Sequence, residues 1–178
     1  MKKILLSTVI ATASLGMVAM SAHAADGQID FNGLVNGTTC TINGGTNQNF
    51  SVTLPPVSAA TLQTAGARAG QTPVPLDLTN CTPATGTAHV YLEPGPTINT
   101  ATGRLVVDAG GATNVEIGLL NKNFADIVAG AADGSQNTDV VDISSGSADL
   151  SFYAEYVSLG NATAGAADSR VQYTIVYQ

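Results

Sequence analysis

The chain has 178 residues, with 6 basic and 13 acidic side chains, a formal charge of −7, 44% hydrophobic residues and no tryptophan. Beyond the first few residues the cations are Arg68, Arg104, Lys122 and Arg170. They are too scattered to make the basic stripe that a nucleic-acid binder needs, so no nucleic-acid partner is expected. The acidity suits a β-rich surface that must stay soluble.

In chain order, Lys2 and Lys3 precede a largely apolar stretch at 4–20, and Ala22-His23-Ala24 puts small residues around a cut, the pattern of an export signal at 1–24. Ser7, Thr8, Thr12, Ser14 and Gly16 interrupt the apolar run and no stop-transfer pattern follows, which argues against a retained anchor. Cleavage after Ala24 leaves 154 residues carrying 13 acidic and 4 basic side chains, a formal charge of −9. That length fits one domain with a substantial core. Both cysteines, Cys40 and Cys81, lie beyond the cut, and an even pair in an exported chain is expected to form a disulfide. A loop of that length implies about 4 kcal/mol of stabilisation from chain entropy.

The remaining sequence is rich in Gly, Ala, Thr, Asn, Val and Ser and poor in surface helix formers, which predicts an all-β domain. Alternating or β-branched runs predict strands at 27–35, 39–42, 50–54, 74–78, 88–92, 104–107, 115–120, 139–143, 148–156 and 170–177. Turn signals such as Pro55-Pro56, Pro94-Gly95-Pro96, Gly110-Gly111, Asp133-Gly134, Ser145-Gly146 and Gly160-Asn161 separate them at the spacing of a sandwich. A short helical turn is predicted within 57–65, and the Ala/Gly-rich stretches 66–70 and 162–167 read as loops.

Catalysis lacks its parts. His89 is the sole histidine after the cut and alternates with Val90 and Leu92 on a predicted strand, where a structural or solvent-facing role is commoner, so no enzyme, metal or cofactor is expected. The stretch from Asp133 to Asp139 spaces oxygen ligands like a calcium loop, but Thr138 stands where the sharp turn needs glycine and Ser144 where a bidentate glutamate belongs. A polar surface loop is the reading.

The two ends carry the most information. Gly27, Ile29, Phe31, Gly33 and Val35 alternate with Gln28, Asp30 and Asn32, giving one apolar face. At the other end Val171, Tyr173, Ile175 and Tyr177 alternate with Gln172, Thr174 and Val176, and Gln178 follows. Alternation alone favours two ordinary strands of a closed sandwich.

Several stretches together resemble the pilins of type 1-like fimbriae, the subunits assembled by the chaperone-usher route. They are the export signal ending at Ala24, Gly27-x-Ile29-x-Phe31-x-Gly33 leading to Cys40, Leu76-x-Leu78-x-Asn80-Cys81, and Thr113-Asn114-Val115-x-Ile117. The most specific is the tail, Phe152-x-Ala154-x-Tyr156 followed by Val171-x-Tyr173-x-Ile175-x-Tyr177-Gln178. The resemblance implies an incomplete immunoglobulin-like sandwich, completed by a donor strand from another subunit. On that pattern 25–37 is a donor-strand extension with Gly27, Ile29, Phe31, Gly33 and Val35 as its inserting face, and 38–178 is the pilin domain. Val171, Tyr173, Ile175, Tyr177 and Gln178 form the terminal strand that contacts a periplasmic chaperone. The implied partners are other pilin subunits, that chaperone and an outer-membrane usher, and the implied location is a fimbria at the cell surface.

Only residues 36–39 separate Val35 from Cys40, a reach of about 13 to 14 Å, which makes insertion of the extension into its own domain awkward. Burying Ile29, Phe31 and Val35 in a neighbour would contribute on the order of 5 to 9 kcal/mol as an upper value. The rival expectation is a monomeric secreted immunoglobulin-like binding module that completes its own sheet.

Overall fold

The computed structural model describes residues 28, 30, 31, 33, 35, 37–45 and 48–178. The export signal at 1–24 and the donor positions Gly27 and Ile29 lie outside the described residues. The chain divides into two units, Met1–Leu34 and Val35–Gln178. In the first, Phe31 is 91% exposed.

The second unit is all-β. Its strands are β1 (Thr39–Ile42), β2 (Arg68–Val74), β3 (Asp77–Thr82), β4 (Thr87–Leu92), β5 (Ile98–Asn99), β6 (Arg104–Val106), β7 (Val115–Leu120), β8 (Asp126–Ile127), β9 (Val141–Asp142), β10 (Ala148–Asp149), β11 (Phe152–Ser158) and β12 (Tyr173–Tyr177). They form three antiparallel sheets of order β1-β3-β10, β2-β11-β7-β6-β5 with β8 beside β7, and β12-β4-β9. A 3₁₀ turn, Ala59–Leu62, is capped by the Ser58 hydroxyl, which accepts from the Ala60 N–H.

Period-two alternation explains the core. Ala88, Val90 and Leu92 of β4, Ile117 and Leu119 of β7, and Phe152 and Ala154 of β11 join in one buried cluster, and in β3 a bulge at Asn80, whose φ is +53°, shifts the alternation so that both Leu78 and Cys81 reach it. Cys40 is bonded to Cys81, which ties β1 to β3.

The opposite face of the six-stranded sheet is polar yet buried at its centre. Glu116 and Glu155 have side chains only 4% and 6% exposed. Arg68 donates to both Asp126 oxygens at 2.6 and 2.8 Å and to Glu155 at 2.7 Å. Glu116 accepts from Asn99 at 2.6 Å and from Thr102 at 3.2 Å, with Arg104 at 3.8 Å. The hydrogen bonds from Arg68 hold the Asp126 carboxyl below its usual value, and Asp126 in turn keeps Arg68 charged.

Several expectations need correction. The run at 50–54 is apolar on alternate residues but joins no sheet. The stretch 66–70, read as a loop, holds the start of β2, and the 74–78 run straddles the break between β2 and β3. The 148–156 run is two strands in one register: the Leu150 N–H still donates to the Leu76 carbonyl, but the Leu76 N–H turns to the Ser151 hydroxyl and Pro75 has no N–H to offer, so the ladder is interrupted there. The 139–143 run shrinks to β9. His89 is buried, 3% exposed, with Nε2 2.7 Å from Asp133 Oδ1, so the polar loop folds over β4.

Candidate functional site

The site is a groove of about 1240 Å³ running beside β12. One lip is the 48–54 segment and the other is formed by 167–175. Its floor is the core itself, through Leu76, Leu92, Ile117, Leu119 and Phe152. Val52 and Leu54 of the first lip, and Val171, Tyr173 and Ile175 of the second, pack their side chains against that core.

Backbone chemistry distinguishes the groove from an ordinary crevice. Gln178 and Thr87 exchange both backbone hydrogen bonds at 2.9 Å, and the Glu93 N–H donates to the Gln172 carbonyl at 2.9 Å. In the register Tyr173↔Leu92, the antiparallel alternation then turns Gln172, Thr174, Val176 and Gln178 toward β4. Val171, Tyr173, Ile175 and Tyr177 present their N–H and C=O groups on the other edge, where no strand pairs among the described residues. Across the groove, no backbone–backbone hydrogen bond among the described residues engages 50–54. Two open backbone edges therefore flank an apolar floor.

By contrast, the far edge of β4 is sealed. Its Leu92 N–H donates to the Gln136 side-chain oxygen at 2.9 Å, and the Gln136 amide donates back to the Leu92 carbonyl at 2.7 Å. A buried glutamine thus stands in for a strand there.

The end of β12 is positioned by Gly86, whose φ of +87° suits glycine. A Cβ there would lie 2.1 Å from the Gln178 carbonyl oxygen, so no larger residue lets the chain end close onto β4. The Cys40 backbone lies beside the Tyr177 phenol and partly offsets the effect of its burial, which puts the end of β12 next to the disulfide-bearing strand. Burial pushes the phenol groups of Tyr156, Tyr173 and Tyr177 up.

The terminal-strand residues expected from the sequence are thus brought together on one lip. Of the expected donor positions, Phe31 and Val35 are 91% and 99% exposed, and no heavy atom lies within 4 Å of a Cβ built on Gly33. Sequence reasoning missed Gln136 and the role of the 48–54 segment as an unpaired lip. The alternation of Phe50, Val52 and Leu54 marked a buried face, but nothing in it marks whether a strand lies alongside.

A β-sandwich with an apolar cleft between two unpaired edges is an immunoglobulin-like domain short of one strand. The sequence profile described as "Fimbrial protein" matches residues 29–178, and the chain belongs to that family. It is 44% identical to the major fimbrial subunit SMF-1 of Stenotrophomonas maltophilia, covering 92% of this chain and 99% of the relative. It is 40% identical to the F17 fimbrial protein of Escherichia coli, covering 92% and 96%. Among solved structures, the P pilus rod subunit PapA superposes with a TM-score of 0.59 at 20% identity, over 78% of this chain and 99% of that one. A chaperone-usher pilus structure gives 0.59 at 21% identity, over 90% and 100%. The fold is that of a chaperone-usher pilin.

Proposed function

We propose that the chain is a structural subunit of a surface fimbria and polymerises by donor-strand exchange, the groove of each copy taking the N-terminal extension of the next. The observation that carries this reading is the pair of open backbone edges over an apolar floor. An extended strand laid there would hydrogen-bond to Val171, Tyr173, Ile175 and Tyr177 on one side and to 50–54 on the other. Its alternate side chains would fill the cleft.

The inserting strand is 25–37, with Gly27, Ile29, Phe31, Gly33 and Val35 facing the floor, after removal of 1–24. Residues 38–178 are the acceptor domain. Before assembly the same groove takes a strand from a periplasmic chaperone, with Tyr177 and Gln178 at the contact, and an outer-membrane usher receives the loaded subunit. A monomeric module that completes its own sheet fits less well, because such a module would have a strand where β12 has none among the described residues.

The test is a synthetic peptide of residues 27–35 added to a chain lacking 25–37. Binding with a raised melting temperature is expected. A groove that takes no peptide refutes donor-strand exchange. Co-purification of the periplasmic protein with a chaperone tests the delivery step separately.

A further inference from the structure

The two lips of the groove are not independent of each other. The Tyr173 hydroxyl of β12 donates to the Gln48 carbonyl on the opposite lip at 2.8 Å. Two residues on, the Phe50 ring meets the Tyr173 ring edge to face, with centroids 6.2 Å apart and planes at 67°. A Gln48 carbonyl that accepts from β12 points across the cleft, and it is the kind of acceptor an inserted strand would use. The Phe50 ring, 37% exposed and lining the groove, lies in the same apolar space that an inserted side chain needs.

We propose that Tyr173, Phe50 and the Gln48 carbonyl form a clasp across the groove, which holds the unfilled lips together and must be displaced before a donor strand can seat. The proposal rests on the donor-strand reading above and adds the contact that sets the rate of entry. The clasp gives the empty subunit an internal substitute for part of the missing strand. One hydrogen bond satisfies a lip carbonyl, and one ring pair shields apolar surface between the lips. An entering strand exchanges these contacts for its own, so the clasp acts on the barrier and on the stability of the empty state together.

Two substitutions isolate its parts. Tyr173→Phe keeps the ring and removes the hydroxyl. Phe50→Leu keeps an apolar side chain on a segment outside the sheets and removes the ring contact, so it tests the clasp even if a change within β12 impairs folding. Binding of a labelled 27–35 peptide to the full chain is followed by stopped-flow anisotropy, with wild type as reference. Each variant is expected to take up peptide about 2- to 10-fold faster, the range set by one ordinary hydrogen bond or ring contact. Peptide that binds wild type and both variants at equal rates, or binds the variants more slowly, overturns the clasp and leaves the donor-strand reading standing. Peptide that binds none of the three overturns that reading and the gating role with it. Peptide that enters only the variants supports both.

Discussion

Phe31→Asp separates assembly from folding. In its own chain the Phe31 ring is 91% exposed, so replacing it should change the stability of the isolated domain by less than about 0.5 kcal/mol. In a neighbour's groove the same change forfeits about 1.5 to 3 kcal/mol of burial. The carboxylate must also shed its charge to enter. Protonating an aspartate at pH 7 from its ordinary value near 3.9 costs about three pKa units at about 1.4 kcal/mol each, so about 4 kcal/mol. The sum, about 6 kcal/mol, weakens exchange by about 10⁴-fold. The subunit ladder on unheated gels should vanish, while the urea midpoint of the isolated chain stays at the wild-type value. Phe31→Leu should retain the ladder and Phe31→Asn should fall between. A ladder of normal length in Phe31→Asp, or a domain destabilised by more than about 1 kcal/mol, would refute the placement of Phe31 in the donor strand.

The strands legible from the sequence are those where alternation and pairing coincide. The 115–120 run is β7 and the 39–42 run is β1, because each packs apolar side chains on the core and also lies inside a ladder, with both faces of β7 buried. Where the two part company the pattern misleads. Phe50, Val52 and Leu54 alternate because Val52 and Leu54 pack on the core, although no backbone partner runs beside them among the described residues. The beginning of β2 was hidden for the opposite reason. Its Gly70 takes a φ of +72° at a bulge, with the Tyr156 ring where a Cβ would stand, so a glycine that signals a turn sits inside a paired strand. Glu116 and Glu155 lie between apolar residues in the sequence, a place where polar side chains normally face solvent. They are buried because Arg68, Arg104 and Asn99 arrive from other strands, a register no single run reveals. The groove was legible only in part. The apolar faces of the two ends follow from their alternation, whereas the empty edge of β12 is a missing partner, which only the resemblance of the whole tail to pilins brought into view.

Replacing Cys40 and Cys81 by serine should lower stability by about 4 kcal/mol on the entropic account and deplete the exported protein, as read by denaturant midpoints and steady-state levels. Free thiols in assembled protein would remove the claim. The Asp126 carboxyl, held below its usual value by Arg68, adds stability that is present above its unfolded value near 4 and is lost as pH falls through the lower folded one. Its share is small, because Arg68 and Asp126 are 36% and 48% exposed. Between pH 5 and pH 2 the urea midpoint should therefore fall less in Arg68→Gln than in wild type, and equal falls would dissociate Asp126 from the acid response. The parity of β12 supplies the most specific test. The Val176 N–H faces β4 and the Ile175 N–H faces the groove, given the register in which Ile175 opposes Val90. Val176→Pro removes a ladder hydrogen bond and should destabilise the isolated domain by about 3 kcal/mol or more. Ile175→Pro leaves the ladder donors in place and, measured against Ile175→Ala to correct for the lost side chain, should cost the domain much less while abolishing uptake of the 27–35 peptide. If the two prolines destabilise the domain equally and peptide uptake survives in Ile175→Pro, the open edge of β12 is not where the donor strand binds.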